Sequence, residues 1–135
     1  MPSAFDREIE RAVNNPSKMR DRIKEGLTID WLNRLAKLFG ISPTAFANIV
    51  GIDTRTLTRR RREGKLTAKE SSSLYHLAVL YEHAFDVLGD TETVQNWFSS
   101  PEPDFAGMKP VDLLDTAPGI KEVHQLLGRI EHGVF

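Results

Sequence analysis

Apolar residues recur along this chain at intervals of three and four, the repeat of helices laid against a core, and nowhere alternate strictly as in a half-buried strand. Phe5, Ile9 and Val13 stand four apart before Asn14-Asn15-Pro16 interrupts the pattern, since proline disfavours helical backbone in the residue before it. A short amphipathic N-terminal arm is expected there. Trp31, Leu32, Leu35, Leu38 and Phe39 form the stripe of a helix over about 29–39, stopped by Gly40. Ser42-Pro43 opens the next, running to Val50: the hydroxyl accepts from an orphan backbone amide, and proline in the first turn needs no donor. Gly51 suits a sharp turn, Asp53 caps a helix through Arg62, and Gly64 ends it.

Thr67 and Glu70 have capping-box spacing and open a long helix with Leu74, Leu77, Ala78, Tyr81, Ala84, Phe85 and Leu88 on one stripe. Val79, Leu80 and Val87 lie off that stripe, which predicts burial on two sides. Val94, Trp97 and Phe98 mark a short helix closed by Ser99-Ser100-Pro101-Glu102-Pro103, where a lobe boundary is expected. A short helix at 111–114 follows, then a last one from about Pro118 to His132 with Ile120, Val123, Leu127 and Ile130 on one face and Gly133 as its cap. The fold class is therefore all-α: a helical arm over 1–28, a helix-turn-helix domain with a long connecting helix over 29–89, and a small binding domain over 90–135.

Composition adds exclusions. At 135 residues the chain can bury a real core, and with no cysteine it has no disulfides, thiolate metal sites or cysteine nucleophile. No apolar run approaches a membrane span and the first twenty residues are charged throughout, so a cytoplasmic protein without a membrane partner is expected. The net charge of −1 conceals two opposite regions. Residues 53–65 hold six basic groups against two acidic, whereas 99–135 hold three basic against six acidic. A basic patch and an acidic tail suit a polyanion at one end and a different partner at the other.

The stretch Pro43 to Arg62 has the parts of a helix-turn-helix: small Ala47 where two helices cross, Gly51 at the turn, and Leu57 anchoring the second helix, with Phe46, Val50 and Ile52 completing a small core. At about 100° per residue, with Leu57 at 0°, Arg55 falls near 160°, Arg59 near 200° and Arg62 near 140°, together on the side away from the core. Thr58 borders that face, and Arg60 and Arg61 fall on its flanks. In a major groove Arg55 and Arg59 present bidentate donors to guanine, while Arg60, Arg61, Arg62 and Lys65 contribute salt-sensitive phosphate contacts. Thr44 and Thr54, with Thr58, complete the expected DNA-binding set. One such module reads a small site, so a homodimer reading half-sites about 34 Å apart is expected.

The closing segments carry Trp97-Phe98-Ser99-Ser100-Pro101 and Arg129-Ile130-Glu131-His132-Gly133-Val134-Phe135, aromatic and apolar endings not obviously needed for folding alone. With Arg59 to Thr67, Glu70-Ser71, Trp97-Phe98, Lys109 to Thr116 and Arg129 to Phe135 in this order, the chain from about Trp31 to Phe135 resembles the Xre/MbcA/ParS family of antitoxins. The resemblance implies an Xre-like helix-turn-helix lobe followed by a small helical toxin-binding lobe. It also implies a cognate RES-domain toxin that depletes NAD, covered at its active-site cleft, and repression of the protein's own operon through double-stranded operator DNA. Toxin contact is carried over to Pro110, Leu113, Leu114, Arg129, Ile130, Glu131, His132, Gly133, Val134 and Phe135.

Two other readings compete. A stand-alone helix-turn-helix regulator would use its C-terminal lobe for dimerisation or an effector, and would not retain a stoichiometric toxin. An enzyme would need a constellation that the sequence lacks. His76, His83, His124 and His132 lack the i, i+4 spacing of a helical metal pair, and no Gly-rich phosphate loop is present. His76 and His83, seven apart, read as structural histidines, and Glu70 and Glu131 as a cap and a surface or interface charge. No catalytic residue, metal or cofactor is expected.

Overall fold

The computed structural model describes residues 4–133, with side chains from Arg7 onward. Its described residues form eight α-helices: α1 (Ala4–Asn14), α2 (Pro16–Glu25), α3 (Ile29–Phe39), α4 (Pro43–Ile49), α5 (Thr54–Glu63), α6 (Ala68–Leu88), α7 (Thr91–Phe98) and α8 (Ala117–His132). Two 3-10 turns, Pro103–Phe105 and Pro110–Leu113, join α7 to α8. The all-α class is thus as expected. No described helix is long and apolar enough to cross a membrane.

The starts of these helices follow from local chemistry. Ser42 Oγ accepts from the Ala45 amide at 3.2 Å, Asp53 Oδ1 from the Thr56 amide at 2.7 Å, and Thr116 Oγ1 from the Gly119 amide at 3.1 Å. At α6 the capping box is complete: Thr67 Oγ1 accepts from the Glu70 amide, and Glu70 Oε1 accepts from the Thr67 amide. Each satisfied amide removes one of the orphan donors that a helix leaves at its first turn.

The long helix α6 is the spine. Leu74, Leu77, Ala78, Leu80, Tyr81 and Ala84 are buried, so two sides of it are covered: α1 and α2 pack against it from one direction and α8 from another. The N-terminal segment is therefore no free arm. Ile9 is fully buried, Ala12 and Met19 nearly so, and the Ala12 carbonyl accepts from the Tyr75 hydroxyl. Burying a side chain such as Ile9 is worth roughly 1.5–3 kcal/mol, enough to hold α1 in place. Asn14-Asn15-Pro16 marks a change of helix: Asn15 caps α2, which begins at Pro16. The expected contribution of Phe5 to the α1 stripe lies outside the described side chains.

Trp97 and Phe98 also have a plain structural role. Phe98 is buried with its ring 5.0 Å from that of Phe39, edge to face, and Phe39 in turn meets Phe46 and Tyr81. Trp97 lies against the edge of Phe98. This aromatic cluster ties α3, α4, α6 and α7 into one continuous core that runs on to Val123 and Leu127 of α8.

Candidate functional site

Helices α4 and α5 make a helix-turn-helix whose inner side is fixed by Phe46, Ala47, Ile52 and Leu57, each buried. Gly51 turns the chain with φ of 81°, and the Ile52 amide closes back on the Ala47 carbonyl at 2.8 Å. The hydrogen bond from Thr56 holds the Asp53 carboxyl below its usual range, so the cap is charged at the positive end of α5. Gly64, left-handed at φ of 78°, ends the helix.

On the outer side Thr44, Thr54, Arg55, Thr58, Arg59, Arg61, Arg62 and Lys65 are all exposed. Arg55 has no ion pair among the described residues, and Arg59 reaches Glu63 only at 3.9 Å across an exposed helix turn, a contact worth little in water. The Thr58 hydroxyl donates to the Thr54 carbonyl at 3.1 Å. The guanidinium groups of Arg55 and Arg59 are thus available on one face, as their helical positions required.

Arg60 is different. Expected as a phosphate contact, it is instead buried, donating from Nε to Glu70 Oε1 at 2.7 Å, from Nη2 to Glu70 Oε2 at 3.2 Å and from Nη1 to Glu63 Oε2 at 3.4 Å. Its own position on the helix, about 60° from Leu57, turns it inward. Burial opposes ionisation of Glu70, but Arg60 and the Thr67 amide outweigh it and hold the carboxyl below its ordinary range. The same hydrogen bonds to Glu70 raise the affinity of Arg60 for its proton.

Pro110, Leu113 and Leu114, expected to meet a toxin, face the protein's own core: all three are buried. An apolar residue at this density of packing is worth more inside than displayed. The exposed part of the Lys109–Thr116 block is Lys109, Asp112, Asp115 and Thr116, with Met108 exposed just before it. At the end of α8 Arg129, Glu131, His132 and Gly133 are exposed and Ile130 is half-buried. Val134 and Phe135 lie outside the described residues.

One contact had no local signal. His83 on α6 and His124 on α8 are half-buried, their rings stacked 5.1 Å apart and their Nδ1 atoms 2.8 Å apart, so one ring donates and the other accepts. Burial first, then the neighbouring His83 and His76, holds His124 below the ordinary histidine range. The unfolded chain accordingly takes up the proton first as pH falls below about 6.5, and stability present above that value is lost on acidification. The urea midpoint is expected to fall between pH 7.5 and pH 5.5, and His124→Gln is expected to flatten that dependence; an equal slope in both proteins would refute the pairing. Among the described residues no group of three or more His, Asp or Glu could hold a metal ion.

Two family models match the chain in tandem. Residues 19–79 match the antitoxin Xre-like helix-turn-helix domain, and residues 83–133 match the antitoxin Xre/MbcA/ParS C-terminal toxin-binding domain. An antitoxin Xre of Yersinia enterocolitica is 33% identical over 134 residues, 98% of this chain and 90% of that protein. The chain belongs to the Xre antitoxins. An antitoxin Xre of Photorhabdus laumondii is 31% identical over 83% of this chain and 77% of its own length. A Prs ADP-ribosylating antitoxin of a Sphingobium species is 26% identical over 84% and 77%. The helix-turn-helix match begins at residue 19 and so takes in most of α2, further upstream than the blocks beginning near Trp31 implied. As an Xre antitoxin, the protein is one half of a toxin–antitoxin system.

Proposed function

We propose that this Xre antitoxin neutralises a RES-type, NAD-degrading toxin by covering its active-site cleft, and that it binds operator DNA as a homodimer to repress its own operon in the cytoplasm. The observation that carries the reading is the pairing of a toxin-binding domain with a helix-turn-helix whose outer face is open and basic. Support for an NAD-consuming partner comes from one relative whose name links it to ADP-ribosylation, a reaction that draws its ADP-ribosyl group from NAD.

The toxin contact is assigned to the end of α8, from Arg129 through Gly133 to Val134 and Phe135, together with the exposed residues around the Pro110–Leu113 turn. Leu113 and Leu114 support that turn from beneath. Phe135 offers a large apolar area at small entropic cost, the type of residue that anchors an interface. Gly133, with φ of 66°, ends α8.

Deleting residues 133–135 is expected to weaken toxin binding roughly tenfold or more while leaving the helical circular dichroism unchanged, since among the described residues the last buried position is Leu127. Growth of cells expressing the neighbouring toxin gene, and co-purification of the two proteins, would read the effect. Full protection by the truncated chain would refute the assignment.

A further inference from the structure

The buried pair of Arg60 and Glu70 joins the last turn of α5 to the first turn of α6, and nothing in the antitoxin's expected contacts accounts for it. Glu70 is doubly engaged: Oε1 accepts from Arg60 Nε at 2.7 Å and from the Thr67 amide at 2.9 Å, while Oε2 accepts from Arg60 Nη2 at 3.2 Å. The side chains are only 11% and 14% exposed. The next residue, Ser71, is fully buried and accepts from the Leu27 amide at 2.8 Å, so the start of α6 grips both the recognition helix and the loop before α3.

We infer that Arg60 and Glu70 are positioning residues that fix the rotation and tilt of α5 against α6, and thereby the aim of Arg55 and Arg59, and that Arg60 contacts no phosphate. This rests on the DNA-binding reading of α5. A planar guanidinium held by two parallel hydrogen bonds defines direction as well as distance, which an ammonium or a neutral amide does not. All three nitrogens of the Arg60 fork already have carboxylate partners, whereas Arg61 and Arg62 beside it are exposed. The pose of a helix fixed at its C-terminal turn by Glu70, and at its start by the Ile52 and Leu57 packing, leaves little freedom for the side chains between.

Electrostatics and positioning make opposite predictions for Glu70→Gln. Removing a negative charge near DNA should strengthen binding to every sequence, whereas loss of the pose should weaken binding to the preferred one alone. The test uses the full chain, a duplex selected by the wild-type protein from a randomised pool, and a scrambled duplex of equal length. Glu70→Gln and Arg60→Lys are expected to lower affinity for the selected duplex about tenfold or more, the effect of losing one bidentate base contact, with scrambled-duplex affinity and salt slope unchanged. Arg61→Ala, by contrast, should reduce the salt slope by about 0.9 and weaken both duplexes alike.

Should either single variant fail to fold, the apolar double replacement Arg60→Met with Glu70→Met leaves no buried unpaired charge and should keep the wild-type salt slope. A slope shallower by about 0.9 in that protein would show Arg60 on a phosphate and overturn the inference. Undiminished preference for the selected duplex in Glu70→Gln would overturn it too, while leaving the DNA reading intact. A wild-type protein that selects no duplex at all would remove both.

Discussion

Replacing Gly26 by alanine is expected to lower the thermal unfolding midpoint of this antitoxin by about 10 °C or more. Gly26 ends α2 with φ of 99° and ψ of 124°, a conformation that costs a residue with a β-carbon about 1–3 kcal/mol. Sterics add to the strain: a β-carbon there would strike the Leu66 carbonyl oxygen, and backbone can yield only by moving. Overpacking of that kind costs about 1–3 kcal/mol more. A destabilisation of roughly 2–6 kcal/mol in a domain of this size corresponds to a shift of that order or greater.

The clash also reaches the helix proposed to bind DNA. Residues 26–29 pair with 64–66: the Leu66 amide donates to the Leu27 carbonyl at 2.9 Å, and the Ile29 amide to the Gly64 carbonyl at 3.0 Å. Gly64 is the cap of α5, so relief of the clash would push on the end of that helix. Gly128→Ala is the matching control. Gly128 lies inside α8 with open space where a β-carbon would be, and alanine there should raise stability by about 0.5–1 kcal/mol. Calorimetry on the two variants checks both signs; a Gly26→Ala protein as stable as wild type would show that the α2–α3 loop is not held as described.

What the sequence made legible was local. Ser42, Asp53 and Thr67 are capping residues whose partners lie three positions on, and their spacing alone places the starts of α4, α5 and α6. The outward arginines of α5 follow from helical geometry and one anchor, Leu57. Distant partners left no such trace. His83 meets His124 across 41 residues, and Glu70 meets Arg60 across the turn between two helices, so neither pairing shows in any periodicity. α2 was hidden for another reason: its sequence is mostly charged and it buries only Met19, so its apolar stripe is too thin to read. Leu113 and Leu114 are carried over as toxin contacts from the resemblance alone, since an apolar residue in a short turn has no period to say which way it faces. Gly119 lets α8 pack closely on that turn: it is buried, and a β-carbon there would strike the Leu113 carbonyl.

The largest effect on DNA is expected from α5 itself. Arg55→Ala with Arg59→Ala should abolish sequence preference, lowering affinity for a selected duplex by about 10²–10³-fold, since each bidentate arginine–guanine pair discriminates by about 1–3 kcal/mol. Both side chains are exposed and neither supports the fold, so the melting temperature should stay within a few degrees of wild type. The replacement by lysine sharpens the test. Arg55→Lys with Arg59→Lys keeps both charges but loses the rigid fork, so it should retain salt-sensitive binding to any duplex while losing most of the preference. Toxin co-purification should be unaffected by all four substitutions, because the proposed toxin contact lies on the end of α8, its tail and the Pro110–Leu113 turn rather than on α5. Gel shifts at one fixed salt concentration with selected and scrambled duplexes decide the matter: if the double alanine protein still prefers the selected duplex, α5 is not the element that reads the bases.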